Sequence, residues 1–151
     1  IVKLLRDSNP DSIYIEKSTG FKSSVYVFRK NVFNISINVK NMKKGYIPKD
    51  LTDCITQLDK IMDEASKIWC RKHSEQYFSY KAHHGLGMWI RNNWKLWGSS
   101  RLSKYFNELG IYHPDDMSGI ILKSYYRYLN SEEINLDEQI KYYQDFWENR
   151  E

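Results

Sequence analysis

A cluster of histidine and aspartate residues is the part of the sequence that comes closest to catalytic machinery. His113, Asp115 and Asp116 belong to the tetrapeptide HPDD, and His83 and His84 stand upstream of it. These side chains would suit a metal-dependent phosphoesterase, but such a site needs three or four ligands that converge in space, and no spacing establishes them. The sequence therefore predicts no catalytic residue, no metal and no cofactor, and a phosphoesterase is kept as an alternative.

Helix initiation explains the same tetrapeptide without any chemistry. Pro114 suits the first position of a helix, and Asp115 and Asp116 then fall in its first turn, where negative side chains stabilise the helix dipole. We predict a structural role for all three residues.

The segment GLGMWIRNNWKLWGSSRLSKYF, residues 85–106, places three tryptophans within nine positions. On a continuous α-helix its apolar side chains fall within an arc of about 160°, which predicts a core stripe. Arg91 lies opposite this arc and is predicted at the surface, whereas Asn93 lies at its centre and is predicted to be buried and hydrogen-bonded. Both are candidate binding residues. The predicted stripe contains Leu86, Trp89, Ile90, Trp94, Leu96 and Trp97.

Two further candidate binding residues, Tyr126 and Arg127, belong to the pentapeptide YYRYL. They fall outside the core of the apolar arc of their helix, and aromatic rings beside arginine are typical of single-strand nucleic-acid binding. The first 49 residues support this alternative with 10 Lys/Arg against 3 Asp/Glu, a net charge of +7. Residues 50–151 oppose it with 13 Lys/Arg against 16 Asp/Glu, a net charge of −3. Lysine on edge strands, which hinders aggregation, explains the basic segment more simply.

Cysteine usage and hydropathy bear on where the protein resides. Cys54 and Cys70 have no metal-binding spacing, and Cys54 lies in an apolar helical stripe, so a reduced, cytoplasmic protein is predicted. No apolar run reaches the roughly 18 residues of a membrane span. The opening residues, IVKLLRDSNP, are charged too early for a signal peptide, and the start at Ile1 rather than methionine leaves room for an upstream segment.

Before Pro48 the sequence has the period of a β-strand. NVFNISINV alternates apolar and polar residues, which predicts a half-buried strand with Phe33, Ile35, Ile37 and Val39 on one face, the first three of them turned toward the helices. SVYVFRK is predicted to pair with it through a turn near residues 30–31, and SIYIEK is the candidate for a third strand. Because two strands alone are marginal in water, this ribbon is predicted to pack on the helices or on another chain.

After Pro48 the apolar period is helical. The predicted helices start with PKDLTDCITQLDKIM and two short segments within residues 64–82, and they continue with the tryptophan-rich segment. SSRLSKYFNELG follows, with Ser99 or Ser100 as N-cap and Gly110 as C-cap, and HPDD then opens the predicted central helix. The last helix is INLDEQIKYYQDFW, in which Asn135 and Glu138 have capping-box spacing.

The predicted fold class is α+β. A small antiparallel ribbon of two or three strands, residues 1–47, is expected to pack on a mainly α-helical domain of five or six helices, residues 48–151, as one compact unit. The tryptophan-rich segment, the HPDDMS string and their flanking helices also resemble an uncharacterised bacterial helical domain family. The resemblance covers residues 48–147, with the signature GLGMWIRNNW followed by HPDDMS. It implies a compact, soluble, mainly helical bacterial domain and brings no activity or catalytic residue with it.

Aromatic content decides the prediction of function. The chain has 12 Tyr and 5 Trp among 151 residues, and Tyr, Trp and Arg are enriched at the energetic centres of protein interfaces. We predict a non-catalytic protein-interaction module with an unidentified protein partner and no membrane, and an immunity protein or an adaptor would be examples of such a role. The alternative is a nucleic-acid-binding protein that uses the basic ribbon.

Overall fold

The computed structural model describes the backbone of residues 2–6, 12–19 and 22–29, and it describes residues 35–150 together with their side chains. The chain divides into two compact units, Ile1–Asn34 and Ile35–Glu151. The first unit contains an antiparallel sheet in the order β1, β2 and β3. These strands span Val2–Arg6, Ser12–Thr19 and Lys22–Arg29.

Strand pairing in the first unit differs from the predicted ribbon. The segments SIYIEK and SVYVFR pair directly with each other, so that Ile15 lies opposite Tyr26, and β1 forms the other edge. The candidate third strand SIYIEK therefore belongs to β2, and β1 is an additional strand that was not predicted. The predicted turn of SVYVFRK into NVFNISINV, near residues 30–31, lies outside the described residues. Phe33 and Asn34 lie outside the described residues, and the packing of the ribbon on the helices stays a prediction.

The segment that leads into the helices does not form a strand of a sheet, although residues 35–37 follow the predicted alternation of burial. Ile35 and Ile37 are half-buried against the helical core, and Ser36 is exposed between them. Ile37 forms an isolated bridge with Met62, and a short 3₁₀ turn, Val39–Asn41, follows it. The alternation therefore predicted the exposure of these three side chains correctly and their secondary structure wrongly. Val39, predicted on the same face as Ile35 and Ile37, is 48% exposed because the 3₁₀ turn interrupts the alternation.

Six helices form the second unit within residues 35–150. Helix α3 is composite, because a π-helical segment joins two α-helical ones without a break. In α1, α2, α3 and α4 the side chain before the helix accepts a hydrogen bond from the amide three residues later, which fixes where each helix begins. The helices are α1 (Leu51–Ile61), α2 (Glu64–Lys72), α3 (Glu75–Ala82, His83–Gly87 and Met88–Asn93), α4 (Arg101–Glu108), α5 (Pro114–Leu129) and α6 (Leu136–Glu148).

Capping predictions had mixed outcomes. Ser100 is the N-cap of α4, and Gly110 follows the end of that helix in the left-handed region, with φ of 78°. Pro114 occupies the first turn of α5 as predicted. The capping box at Asn135 is wrong, because this residue has φ of 48° and its side chain makes no capping hydrogen bond.

Helix α5 is the centre of the second unit, as predicted. It contacts each of the other five helices, and its inner face supplies a large share of the core. Cys54 and Cys70 are buried in the same core, and burial raises the pKa of the Cys70 thiol to about 12, so both behave as small apolar side chains. None of the helices in the described part of the chain has the length and apolar character needed to cross a lipid bilayer.

Helix α3 ends at Asn93, before the predicted stripe is complete. Lys95 adopts φ of 53°, and the amide of Leu96 donates to the carbonyl of Arg91, which is the hydrogen bond of a Schellman motif. The chain therefore turns away after Trp94, and Trp97 is 61% exposed instead of belonging to the core. Trp94 is fully buried, and Trp89 is half-buried beside it with ring centroids 5.7 Å apart.

The buried face of α3 is rotated from the predicted one. Leu86, Ile90 and Trp94, which follow one another at intervals of four, define it. Arg91 lies on the edge of this face and is only 4% exposed, whereas Asn93 is exposed and donates to the carbonyl of Trp89. Both predictions of burial were wrong because the buried face includes the side of Gly87 and Arg91, whereas Trp89, on the other side of Leu86, is only half-buried.

Candidate functional site

A buried arginine joins helix α3 to the first turn of α5. The guanidinium of Arg91 donates to the Ser118 hydroxyl at 2.8 Å and to the His83 carbonyl at 3.1 Å, and its Nε lies 3.2 Å from an Asp115 carboxylate oxygen. The His83 carbonyl belongs to the π-helical segment, where i→i+5 bonding disturbs the regular ladder. Arg91 thus fixes the position of HPDD against α3.

Glycine makes room for this guanidinium. Gly87 stands one turn before Arg91, and a Cβ at position 87 would lie 3.1 Å from Arg91 Nη1 and 3.3 Å from a Leu122 methyl group. Gly87 therefore permits close packing of α3 at this point. Gly85, two positions earlier, has open space around its Cα and plays no such part.

The HPDD tetrapeptide starts α5 and carries three different contacts. The His113 Nδ1 atom accepts a hydrogen bond from the Asp115 amide at 3.1 Å, which makes the histidine the N-cap. Asp115 pairs with Arg91, so its predicted role at the helix start is confirmed. Asp116 accepts a hydrogen bond from Trp147 Nε1 at 2.8 Å and ties α6 to α5.

Exposed aromatic rings form a continuous row next to this helix start. The Trp97 ring meets the His113 ring edge-on at 6.1 Å, and the His113 ring stacks on Trp147 at 5.9 Å. Phe146 extends the row, with its ring 5.4 Å from that of Trp147. Trp97, Phe146 and Trp147 are 61%, 38% and 45% exposed. We call these four residues the aromatic surface.

A groove of about 590 Å³ opens between α3, α5 and α6, on residues separate from the aromatic surface. Its walls include two residues of HPDD, Asp115 and Asp116, together with His83 and His84 of the π-helical segment. Burial lowers the pKa of His83, and the nearby Arg91 charge lowers it further, so this imidazole is neutral at neutral pH. The histidines and aspartates that the sequence singled out are therefore neighbours in space. Within residues 35–150, however, no group of three or more His, Cys, Asp or Glu side chains is arranged to hold a metal ion.

Tyr126 and Arg127, the other candidate binding residues, are engaged inside the fold. The Tyr126 side chain is buried, in contrast to its predicted exposure, and its hydroxyl donates to the His73 carbonyl. Arg127 donates to Glu75 at 2.8 Å and to the Ile134 carbonyl at 2.7 Å, so it links α5 to α3 and to the loop before α6. Of the four candidate binding residues, only Asn93 is exposed.

Within its described residues, the second unit is therefore a six-helix domain. A buried arginine contacts the start of α5, and the aromatic surface lies beside that helix start. The chain belongs to the family described as domain of unknown function DUF6794, whose model matches residues 47–129. This match confirms the resemblance seen in the tryptophan-rich segment and HPDDMS. No curated protein and no solved structure has detectable similarity to the chain.

Sequence reasoning missed the aromatic residues of α6 as surface residues. The segment YYQDFW places Tyr142 and Phe146 four positions apart, so both rings lie on one side of α6, and both are exposed. Aromatic side chains on the outer face of an amphipathic helix were the available signal. The family match ends at residue 129, so this part of the site lies beyond it.

Substituting alanine for Gly119 should destabilise the domain through one neighbour. A Cβ at position 119 would be in hard contact with the Tyr143 hydroxyl, and the next nearest ring atom lies at 3.4 Å. We expect a net loss of about 1 kcal/mol, because overpacking costs about 1–3 kcal/mol and alanine returns up to about 1 kcal/mol of helix propensity. Urea denaturation would measure it.

The same substitution should be harmless when the hydroxyl is absent. Tyr143→Phe removes the clashing atom, so Gly119→Ala in that background should be neutral or slightly stabilising. A cost that is equal in both backgrounds would show that Tyr143 does not pack against Gly119.

Proposed function

We propose that this chain is a non-catalytic protein-interaction module that binds its partner through the aromatic surface. The observation that carries this proposal is the uninterrupted row of exposed rings from Trp97 through His113 to Trp147 and Phe146. Exposed apolar patches of this kind mark interaction sites, and tryptophan is among the residues that dominate interface energetics. An immunity protein or an adaptor acts in this way, by covering part of another protein.

Rigid support of the rings favours this function. His113 is held by its capping hydrogen bond with the Asp115 amide, and Trp147 is held by its hydrogen bond to Asp116. Rings that are already fixed lose little conformational freedom when a partner covers them, so more of the contact energy appears as affinity.

The N-terminal sheet and the cysteines complete the proposal. In the described backbone β1 and β3 are the edges of the sheet, and an edge strand is able to extend the sheet of a partner. The architecture proposed for the whole chain is α+β. The two free, buried cysteines fit a reduced, cytoplasmic location, where disulfide bonds are rare.

A comparative pull-down from the source organism would test the aromatic surface. The tagged chain, its Trp97→Ala and Phe146→Ala variants and a Tyr128→Ala control are used in parallel, and bound proteins are identified by mass spectrometry. Tyr128 is also an exposed aromatic residue, but it lies at the opposite end of α5 from His113. We expect the control to retain a partner that the Trp97 variant binds about tenfold more weakly or worse.

Other outcomes would reject this function or this surface. Equal capture by all four proteins would show that the partner binds elsewhere. Recovery of nucleic acid, seen by its ultraviolet absorbance, without a specific protein would favour the nucleic-acid-binding alternative. Circular dichroism of each variant establishes that the compared proteins are folded.

A further inference from the structure

The groove between α3, α5 and α6 has the size of a small-ligand site. Its volume of about 590 Å³ lies in the range of roughly 300–1,000 Å³ that is usual for such sites. The aromatic surface does not contribute to its walls, so the groove is a separate feature of the same domain. Which ligand it suits is decided by the charges that its walls leave unpaired.

Two of the three carboxylates in the walls are neutralised by the protein itself. Glu75 accepts a hydrogen bond from Arg127 at 2.8 Å, and the ammonium of Lys123 lies 3.6 Å from its other oxygen. Asp115 is paired with the buried Arg91 at 3.2 Å. These contacts hold helices together and leave little charge for a ligand.

The third carboxylate, Asp116, is buried without a cation. It is only 9% exposed, and its Oδ2 atom accepts the hydrogen bond from Trp147. Among residues 35–150 no lysine, arginine or histidine lies within ion-pair distance of it, and its Oδ1 atom accepts no hydrogen bond from them. Burial raises its pKa, as expected for a carboxylate whose charge is not compensated. Buried charges are normally paired, so this one calls for a partner.

Other polar atoms in the walls are unpaired as well. The buried Ser79 hydroxyl has no hydrogen-bond partner among the described residues. Tyr143 also lines the groove, and burial together with the Asp116 charge raises its pKa to about 12, so its hydroxyl keeps its proton. The groove therefore presents an uncompensated carboxylate beside neutral hydrogen-bonding groups.

Tyrosine rings supply the remaining requirement for binding a cation. Tyr80 and Tyr142 are both strongly exposed where they line the groove. The ammonium of Lys123, a wall residue that also pairs with Glu75, lies 5.8 Å from the Tyr142 ring centroid, so a cation already interacts with this ring. His83 is neutral at neutral pH and does not repel a cation.

We propose that the groove binds an organic cation, an ammonium or guanidinium group that pairs with Asp116 and lies against the tyrosine rings. Two sources share this chemistry, a free amine and the lysine or arginine side chain of another protein. The site does not depend on the aromatic surface binding a protein, because the two share no wall residue.

Calorimetric and NMR titration at low ionic strength would test the site. The probes are putrescine, lysine and arginine with both backbone groups capped, and capped norleucine as the uncharged match. We expect the cations to bind the intact chain and norleucine not to bind. Tighter binding of putrescine would identify a free amine as the source, and tighter binding of a capped amino acid would identify a protein side chain.

Two isosteric variants distinguish a specific pair from general electrostatics. Asp116→Asn keeps an acceptor for Trp147 and removes the charge, and we expect it to weaken cation binding at least about tenfold. Asp145→Asn makes the same change of charge on α6, outside the walls of the groove, where Asp145 pairs with Lys141, and should leave binding unchanged. Equal affinity of the two variants would overturn the site, as would binding of norleucine as tight as that of lysine.

A wall variant keeps the test decisive if Asp116→Asn fails to fold. Tyr142→Ala removes an exposed ring and should weaken cation binding about threefold, as expected for a cation–π contact at an exposed position. No binding of any cation to the intact chain at millimolar concentration would also overturn the site. Neither result would affect the pull-down with the Trp97 variant.

Discussion

Replacing Trp94 with alanine should lower the free energy of unfolding by about 4 kcal/mol, whereas the same change at Trp97 should cost less than about 1 kcal/mol. Trp94 is completely buried and Trp97 is 61% exposed, although only three positions separate them. Removing a buried indole forfeits its transfer free energy and leaves a cavity in a close-packed core. Removing an exposed one mainly opens its edge contact with His113.

Equilibrium urea denaturation, followed by far-ultraviolet circular dichroism, would measure both values. The two variants are matched controls for each other, because both lose an indole from the same segment of the chain. Similar losses would contradict the end of α3 at Asn93, since a helix that continued through Trp97 would place the two rings about 60° apart on one buried face.

Local signals were sufficient for most of the helices. The stripe of Leu51, Cys54, Ile55 and Leu58 predicted α1, in which these four residues are buried. Pro114 and two acids predicted the start of α5, whose broad apolar arc also predicted its central position. Such features depend on neighbours within a few positions along the chain, so a sequence pattern contains them.

The register of α3 could not be predicted from the same kind of pattern. Its left-handed terminal residue is Lys95 and not the glycine that usually marks a Schellman motif, so the sequence gives no stop signal there. Gly87, which packs against Leu122, has no side chain to mark its side of the helix as buried, so the apolar pattern is centred toward Trp89 and includes Asn93. The π-helical segment His83–Gly87 is a further departure from the regular period, and its residues carry no recognisable signature.

The candidate site depends on contacts between distant parts of the sequence. Asp116 and Trp147 are 31 positions apart, and the groove combines residues of α3, α5 and α6. Periodicity shows which face of a helix is apolar, but it does not show which polar residues of two helices meet. Sequence reasoning therefore identified His83, His84 and HPDD as unusual. It did not show that the two histidines line one groove with Asp115 and Asp116.

Replacing Arg91 with alanine should lower the free energy of unfolding by about 3 kcal/mol. The guanidinium makes charge-assisted contacts with the Ser118 hydroxyl, the His83 carbonyl and Asp115, and its loss leaves buried acceptors without a donor beside the space at Gly87. Arg91→Lys should cost less, about 1–2 kcal/mol, because a single ammonium cannot reach three acceptors in a planar arrangement. Urea denaturation of both variants would give these values.

Asn93→Ala is the matched control on the same helix. Its exposed amide donates only to the Trp89 carbonyl one turn back, so its removal should change stability by no more than about 0.5 kcal/mol. The helical wheel drawn from the sequence predicts the opposite order, with Asn93 costly and Arg91 nearly neutral. A larger loss for Asn93→Ala than for Arg91→Ala would therefore support the burial predicted from the sequence. It would also contradict the role of Arg91 in holding HPDD against α3. A larger loss for Arg91→Ala, the result expected here, would instead mean that Arg91 sets the position of the helix start on which both the aromatic surface and the groove are built.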